Sequence, residues 1–218
     1  MVVFSSDSDI LKYEPILFGE LHLRWQVVAS GTGGTVSGTS FSAAGADFTG
    51  GPVSAGGVVY LWSSGGVLDG PYEIVSVDSA TELTVSVIRA EASGPAVAPP
   101  AATDVSYRIS TFEPQAAEVG FELTEYFGIR PGEPSSGIEA SDLVNTEALQ
   151  RASVLGVISR VYALLAGRSR DEDFWRKAEH YGRLYRRACQ RCRFSIDAGG
   201  DGAADVTRSG ASGKLSRD

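Results

Sequence analysis

Few side chains in this sequence have the chemistry for acid–base or nucleophilic catalysis. His22 and His180 are the only histidines among 218 residues. No serine, cysteine or threonine stands in a local sequence that resembles a known nucleophile motif. We therefore expect no catalytic residues and no enzyme activity.

Cys189 and Cys192 form a CxxC pair. A redox CxxC needs the N-terminus of a helix, where the helix dipole lowers the thiol pKa, but this pair lies near the end of a predicted helix. A structural zinc site needs two further ligands at suitable spacing, and the sequence offers none. We interpret both cysteines as small buried residues in a helix–helix contact.

The segment 197–205 has part of the pattern of a calcium-binding loop. Asp197, Asp201 and Asp205 fall at positions one, five and nine of a twelve-residue loop, with glycine at position six. Position three is Gly199, and position twelve is Arg208 where the pattern needs a glutamate. We predict a flexible acidic turn, with calcium binding as the alternative, and we expect no metal or cofactor requirement.

Arginines are concentrated near the end of the chain. Arg183, Arg187 and Arg191 are four residues apart and share one face of a predicted helix. Residues 1–150 carry 5 basic and 19 acidic side chains, a net charge of −14, whereas residues 151–218 carry 14 and 8, a net charge of +6. Such a split indicates head-to-tail self-association of the chain, or docking of its basic end on an acidic surface.

Three occupants of this arginine face are open: water, duplex DNA and an acidic protein. DNA binding would weaken steeply with salt, because each phosphate contact releases counterions. The acidic remainder of the chain would also repel DNA. We favour an acidic protein surface, because the guanidinium fork pairs well with carboxylates.

Two amphipathic helices must position the arginines. The first is predicted over 141–165, with Ser141 as N-cap and Gly167 as its stop. The second begins with a capping box over 169–172, and the short link makes the two helices antiparallel neighbours. Apolar residues of the second helix recur every three or four positions: Phe174, Ala178, Tyr181, Tyr185, Ala188 and Cys192.

The segment 30–112 is predicted to be all β. Glycines separate short β-branched runs, and in 83–87 apolar and polar residues alternate with the period of a half-buried strand. Residues 78–81 have good hairpin-turn chemistry, because Asp and Ser side chains bond the nearby backbone. The clearest strands are 58–62, 72–77, 83–87 and 105–110.

The overall prediction is an α+β fold. Residues 7–29 have apolar residues at roughly helical spacing, so we expect a short turn to Glu14 and then a helix from Pro15. We predict that this N-terminal helix and the antiparallel pair form a helical body over 1–29 and 113–194. Within it, segment 116–127 fits helix or strand equally. A small antiparallel β-barrel or sandwich is inserted over 30–112, and 195–218 form a flexible C-terminal partner-binding tail.

Composition indicates a globular chain, with 43% hydrophobic and 21% charged residues. The long uncharged stretch 27–46 is rich in Gly, Ser and Thr, so it is not the apolar segment that a membrane span requires. The first residues lack the basic and apolar regions of a secretory signal. We expect a soluble protein kept in a reducing compartment.

Two parts of the sequence resemble structural proteins of tailed bacteriophages. Residues 70–85 (GPYEIVSVDSATELTV) resemble a recurrent β-hairpin of such proteins, and 38–41 and 48–53 are similar to its usual lead-in. The helix pair, its arginine-rich end and the Asp/Gly tail resemble head-to-tail connector (adaptor, or neck) proteins. The usual tail is closer to DxDGDG, from which Gly199 and Gly200 depart.

This resemblance implies a structural virion protein of the neck, between capsid and tail, that is assembled in the host cytoplasm. Such adaptors form a ring, typically a dodecamer, beneath the portal protein, and their opposite face contacts a stopper or tail-terminator protein. DNA passes through the channel without specific binding, and no membrane is involved. The expected partner interface comprises Arg183, Arg187, Arg191, Asp197, Asp201 and Asp205.

Two other functions are open. The hairpin pattern also suits another virion component, such as a tail-completion or baseplate protein. A carbohydrate-binding β module with a helical anchor is the second alternative, in which Tyr60, Trp62 and Tyr72 would form an aromatic platform.

Overall fold

A computed structural model describes residues 2–129, 140–169, 171–197 and 199–210. The chain divides into two compact units, Ser6–Phe112 and Met1–Ser5 together with Glu113–Asp218. The described residues contain four α-helices, a closed six-stranded antiparallel barrel and a two-stranded sheet. The predicted α+β class is confirmed, and of the two predicted β architectures the barrel is correct.

The first unit, Ser6–Phe112, is the barrel unit. Its strands are joined in the order β1-β2-β5-β4-β3-β6, and all neighbours are antiparallel. The strands are β1 (Val27–Ser37), β2 (Ser40–Ser42), β3 (Val58–Ser63), β4 (Asp69–Ser79), β5 (Glu82–Ser86) and β6 (Ala102–Ser110). The four predicted strands therefore lie within β3 to β6, apart from Val87 just beyond the end of β5.

Alternating apolar residues fill the barrel. Leu83 and Val85 of β5 are fully buried and pair with Val77 and Ile74 of β4. Three rings meet in the interior, with the Tyr107 centroid 5.4 Å from Phe41 and 5.6 Å from Phe48. The predicted turn after β4 forms, and its Thr81 N–H donates to Ser79 Oγ at 3.2 Å.

The predicted helix from Pro15 to residue 29 was wrong. α1 spans only Asp7–Leu11. Two single 3-10 turns follow, Pro15–Leu17 and Arg24–Gln26, and β1 begins at Val27. The helical spacing arises because apolar side chains in consecutive turns pack inward: Leu17, Phe18 and Leu23 are buried. Residues 6–29 consequently belong to the barrel unit.

The second unit is the helical unit. It contains α2 (Glu113–Tyr126), α3 (Glu147–Ser169), α4 (Glu172–Arg191), β7 (Arg193–Ile196) and β8 (Val206–Ser209), and Ala140–Asp142 form a 3-10 turn. Its first residues pack against the helices, since Ser5 Oγ lies 2.7 Å from Ser153 Oγ in a buried contact. Segment 116–127, which fitted helix or strand, lies in α2 as far as Tyr126.

The ends of the two long helices differ from the prediction. α3 begins at Glu147 instead of Ser141, and it continues through Gly167. The N-cap of α4 is Asp171, whose carboxylate accepts from Asp173 N at 2.8 Å, in place of the predicted box at Ser169. Arg170, within that box, lies outside the described residues.

α3 is the central helix of the unit. Leu149, Val157, Ile158 and Tyr162 are fully buried, and the Tyr162 ring stacks on Tyr181 of α4 with centroids 6.0 Å apart. Among the described helices, α3 is long and apolar enough to span a membrane by length and composition, but 61% of that window is buried within the protein. Burial of this extent is what a core helix requires.

The described part of the predicted flexible tail, 195–197 and 199–210, contains the end of β7 and all of β8. β7 and β8 pair in antiparallel register, with Phe194 opposite Arg208 and Ile196 opposite Val206. Residues 142–144 extend this sheet, because Val144 N donates to Ser195 O at 3.1 Å. Residues 211–218, the remainder of the predicted tail, lie outside the described residues.

Candidate functional site

A cleft of about 390 Å³ lies between the first turns of α3 and the last turns of α4. Arginine side chains from three elements converge on it, and two leucines form its apolar floor. We call it the arginine cleft, and it is defined by Arg151, Leu155, Leu184, Arg187, Arg191 and Arg193. The cleft therefore combines guanidinium groups, whose N–H donors form a planar fork, with an apolar surface.

The antiparallel packing of α3 and α4 places these side chains together. Arg151 lies near the start of α3, while Arg187 and Arg191 lie one turn apart near the end of α4. Cys192 ends α4 with extended backbone (φ −60°, ψ 134°), so the chain turns and Arg193 also reaches the cleft. The Cys192 thiol donates to Ala148 O at 3.2 Å and fixes this corner.

The cleft is strongly basic. Within the described residues, none of its four guanidinium groups makes an ion pair or a hydrogen bond. By contrast, Arg160 pairs with Glu122, and Arg176 pairs with Glu172 at 3.6 Å. Like charges gathered around an apolar floor repel one another until an anionic group binds, so the site is suited to carboxylates or phosphates.

The structure divides the predicted arginine face. Arg187 and Arg191 line the cleft, but Arg183 lies on the other flank of α4, in a groove with Trp175 and Gly182. Four residues advance an α-helix by about 40° beyond a full turn, so a row at this spacing drifts around the helix. Arg151 and Arg193 were missed, because they join the cleft only through the packing of α3 and the turn after α4.

The three aspartates of the predicted calcium loop bind backbone amides instead. Asp197 accepts from Gly200 N at 2.7 Å and Gly202 N at 2.6 Å, and Asp205 accepts from Gly199 N at 2.8 Å. Among the described residues, no group of three His, Cys, Asp or Glu side chains is arranged to hold a metal ion. Asp197, Asp201 and Asp205 therefore shape the turn between β7 and β8.

The same hydrogen bonds affect the titration of Asp197. Backbone N–H groups, chiefly that of Gly202, lower the pKa of this carboxyl below its ordinary 3.8. The charged form thus holds the turn at neutral pH. Because Asp197 follows β7, this turn also fixes the strand that begins with Arg193 of the cleft.

The β7–β8 hairpin is anchored to the helices at its far end. The Arg208 guanidinium donates to Phe127 O, and Gly210 N donates to Cys192 O at 3.1 Å. A Cβ atom at Gly210 would collide with the Cys189 carbonyl, so this close approach requires glycine. The aspartate turn and the cleft therefore belong to one packed structure.

Both cysteines are buried and unpaired. Burial is the main cause that raises the pKa of Cys189 to about 11, which keeps its thiol protonated at neutral pH. Burial also raises the pKa of Cys192. A reactive thiol needs surroundings that lower its pKa, whereas the surroundings of Cys189 and Cys192 raise it.

The histidines and the barrel aromatics have structural contacts. His22 Nδ1 lies 2.8 Å from Gly19 O, and the His180 ring meets Tyr181 edge-on. In the predicted aromatic platform, the Arg108 guanidinium lies over Tyr60 at 5.1 Å and over Trp62 at 5.7 Å. Arg108 therefore occupies the ring faces on which a sugar would stack.

Tyr60 Oη and Arg108 Nη2 of this aromatic cluster have hydrogen-bond partners, whereas the buried Arg108 Nε has none among the described residues. Tyr60 Oη donates to Asp69 at 2.6 Å, and burial together with this bond raises the pKa of Tyr60 to about 12. The Arg108 guanidinium donates to the carbonyls of Phe18 and Gly19 at 3.0 and 2.9 Å. This cluster fastens the N-terminal segment to the barrel.

Comparisons with known proteins found no matching family model, no matching curated protein and no matching solved structure. The function therefore rests on the residues of the chain itself. Of the sites described above, the arginine cleft has the clearest unmet binding capacity, because its charges lack partners within the described residues.

Proposed function

We propose that this protein is a structural subunit of a tailed-phage neck, a head-to-tail adaptor that binds an acidic protein surface through the arginine cleft. The observation that carries the proposal is the convergence on an apolar floor of four guanidinium groups that have no ion-pair or hydrogen-bond partner among the described residues. The phage context comes from the resemblance of the hairpin 70–85 and of the C-terminal region to connector proteins. It implies a ring that joins the portal to a stopper or tail-terminator protein.

A protein partner suits the cleft better than DNA. Leu155 and Leu184 give it an apolar floor, which a phosphate backbone does not match but a mixed acidic and apolar protein surface does. The barrel unit, residues 6–112, has four basic and eleven acidic side chains, a net charge of −7. Charge of this sign repels a duplex at long range.

In this proposal the helical unit makes the partner contacts. The cleft supplies arginine anchors, the residue type that most often dominates protein interfaces together with Tyr and Trp. The β7–β8 hairpin holds Arg193 in place, so the cleft is formed before a partner arrives. A preformed site binds at a lower entropic cost than one that must be ordered on binding.

The test is capture of the full-length protein by the portal protein encoded in the same genome. We expect Arg187→Glu with Arg191→Glu to weaken binding at least about 30-fold, since losing one side of a buried charge pair costs roughly 2–5 kcal/mol. The matched control is Arg176→Glu with Arg183→Glu, which makes the same change in net charge outside the cleft. The control should bind like the wild type.

A parallel titration with a short duplex DNA separates the two anionic partners. The proposal predicts weak DNA binding that is the same in the cleft variant and in the control. Tight, salt-sensitive binding of the duplex by the wild type, lost only in the cleft variant, would contradict it. Equal portal capture by the wild type and the cleft variant would also contradict it.

A further inference from the structure

A second groove, of about 530 Å³, lies between α2 and the last turns of α4. It is on a different flank of α4 from the arginine cleft. We call it the tyrosine groove, and it is defined by Glu122, Glu125, Tyr126, Tyr185, Arg186 and Gln190. The groove therefore combines two aromatic rings with two carboxylates of α2.

The groove is acidic on its α2 side. Glu122 pairs with Arg160 and accepts from Tyr185 Oη at 3.3 Å. Within the described residues, the Glu125 carboxylate makes no ion pair or hydrogen bond. Tyr126, beside it in the sequence, is 52% exposed. Such a groove is suited to a segment that carries both cations and an apolar side chain.

The end of the β7–β8 hairpin leads the chain to this groove. Gly210 follows β8, and its carbonyl accepts from Tyr126 Oη at 3.2 Å. Its N–H donates to Cys192 O at 3.1 Å, and a Cβ atom at this glycine would lie 2.9 Å from Gln190 Cα. Because Tyr126 and Gln190 both line the groove, the chain leaves Gly210 at the rim of the groove.

The residues that follow have the composition the groove is suited to. Residues 211–218, which lie outside the described residues, have the sequence ASGKLSRD. Lys214 and Arg217 are cations, and the apolar Leu215 lies between them. Eight extended residues span at most about 28 Å, whereas positions 185 to 190 cover only about 7.5 Å of the α4 axis. The segment is thus long enough to follow the whole groove.

We infer that residues 211–218 dock in the tyrosine groove of their own chain. The two cations then meet the carboxylates of α2, and Leu215 packs on the tyrosine rings. Because the segment is joined to Gly210, its effective concentration at the groove is of the order of millimolar. Contacts that would be weak between separate molecules are therefore sufficient. This inference does not rest on the proposed function.

Disulfide trapping tests the docking in the full-length protein. Gln190→Cys places a thiol at the groove, and Ser216→Cys places one in the segment. Native Cys189 and Cys192 should not compete, because both are buried and burial raises the pKa of each thiol. Under mild oxidation the two introduced thiols should form an intramolecular disulfide at least about 10-fold faster than in the control, because docking raises their effective concentration. The control is Arg187→Cys with Ser216→Cys, whose helical thiol lies in the arginine cleft.

Charge variants of the trapping protein identify the contacts. Lys214→Glu with Arg217→Glu should slow trapping at position 190 to the rate of the cleft control, because the segment then has the same sign of charge as Glu125. Adding Glu125→Lys should restore part of the rate. The matched control, Lys214→Arg with Arg217→Lys, keeps both charges and should be trapped as fast as the parent.

Non-reducing gels and peptide mapping show which thiols are joined. A disulfide between two chains, visible as a dimer band, would assign the groove to a second copy and overturn the inference. Equal trapping rates at positions 190 and 187 would overturn it too, as would trapping that is unaffected by the charge reversal in the segment.

Portal capture separates this inference from the proposed function. Deleting residues 211–218 should leave capture unchanged, because the tyrosine groove and the arginine cleft lie on different flanks of α4. Loss of capture on this deletion would assign the segment to the portal, which overturns the inference and retains the adaptor. Trapping at the groove without portal capture by the wild type would retain the inference and contradict the adaptor.

Discussion

The two units use their cations in different ways. In the barrel unit Lys12 pairs with Asp9, Arg89 pairs with Glu73, and Arg108 binds two backbone carbonyls. In the helical unit the four arginines of the cleft have no such partners within the described residues. Three of the four cations in the barrel unit bind groups of that unit, whereas those of the cleft are available to another molecule.

The Arg89–Glu73 pair shows the first use most clearly. Arg89 Nε and Nη2 donate to the two carboxylate oxygens of Glu73 at 3.1 and 2.8 Å, and Nη1 donates to Gly94 O at 2.7 Å. Both side chains are nearly buried. This pair fastens the long connection between β5 and β6 to the barrel.

Separating the two units is the largest change to the protein, and each unit should still fold by itself. Asp7 Oδ1 accepts from Phe112 N at 2.8 Å, so the two ends of the barrel unit lie side by side. Joining Ser5 to Glu113 with a short Gly/Ser linker should leave a folded helical unit with an intact cleft. Circular dichroism should show a helical spectrum and one cooperative thermal transition.

The excised barrel, residues 6–112, is the complementary half of that experiment. Its core is complete within these residues, so it should give a strand-rich spectrum and a transition of its own. Loss of the helical signal in the joined protein would show that the helical unit depends on the barrel.

A smaller but still large effect is expected from Arg89→Met. The change leaves the Glu73 carboxylate buried without its partner, which typically costs about 3–5 kcal/mol. The free energy of unfolding of the barrel should fall by that amount in urea titrations, while the helical unit should be unaffected. Arg24→Met, at an exposed site, is the control and should change stability by less than about 0.5 kcal/mol.

Adding Glu73→Gln to Arg89→Met tests the cause. Removing the buried charge should recover part of the lost stability. An unfolding free energy that does not change in Arg89→Met, or a further loss in the double variant, would contradict the role given to this pair.

The smallest effect concerns the turn between β7 and β8. Because the folded-state pKa of Asp197 is lowered, its carboxylate stabilises the turn fully above the ordinary pKa of 3.8. This contribution is lost as pH falls below 3.8 through the folded-state value. The amide shifts of Gly200 and Gly202 in NMR spectra should report this transition, and a midpoint above 3.8 would contradict it.

The sequence predicted structure best where the spacing of apolar residues and the residue composition favoured the same type of element. Strands β3 to β6 were predictable, because apolar residues that alternate with polar ones, such as Leu83 and Val85, are typical of a strand with one buried face. The segment after Pro15 was not, because apolar residues in successive 3-10 turns imitate helical spacing. The β7–β8 hairpin was missed because its Gly, Ala and Asp residues are typical of flexible chain, and its stability comes from side-chain bonds to the backbone.

The site was only partly predictable for a related reason. Helical spacing identified Arg187 and Arg191, but it also included Arg183, which the drift of the row carries to the other flank of α4. Arg151 belongs to α3, and its place beside Arg187 depends on the register of two packed helices. The helical state of α2 could not be predicted either, because segment 116–127 fitted helix and strand equally.

The central claim, that this protein is an adaptor of a tailed-phage neck, is tested most directly by its position in the particle. On this proposal a phage encodes the protein, and purified virions of that phage can be labelled with an antibody against the barrel unit and viewed in negative stain. The account predicts label at the junction of capsid and tail. Label along the tail or at the baseplate, or virions that lack the protein, would contradict it.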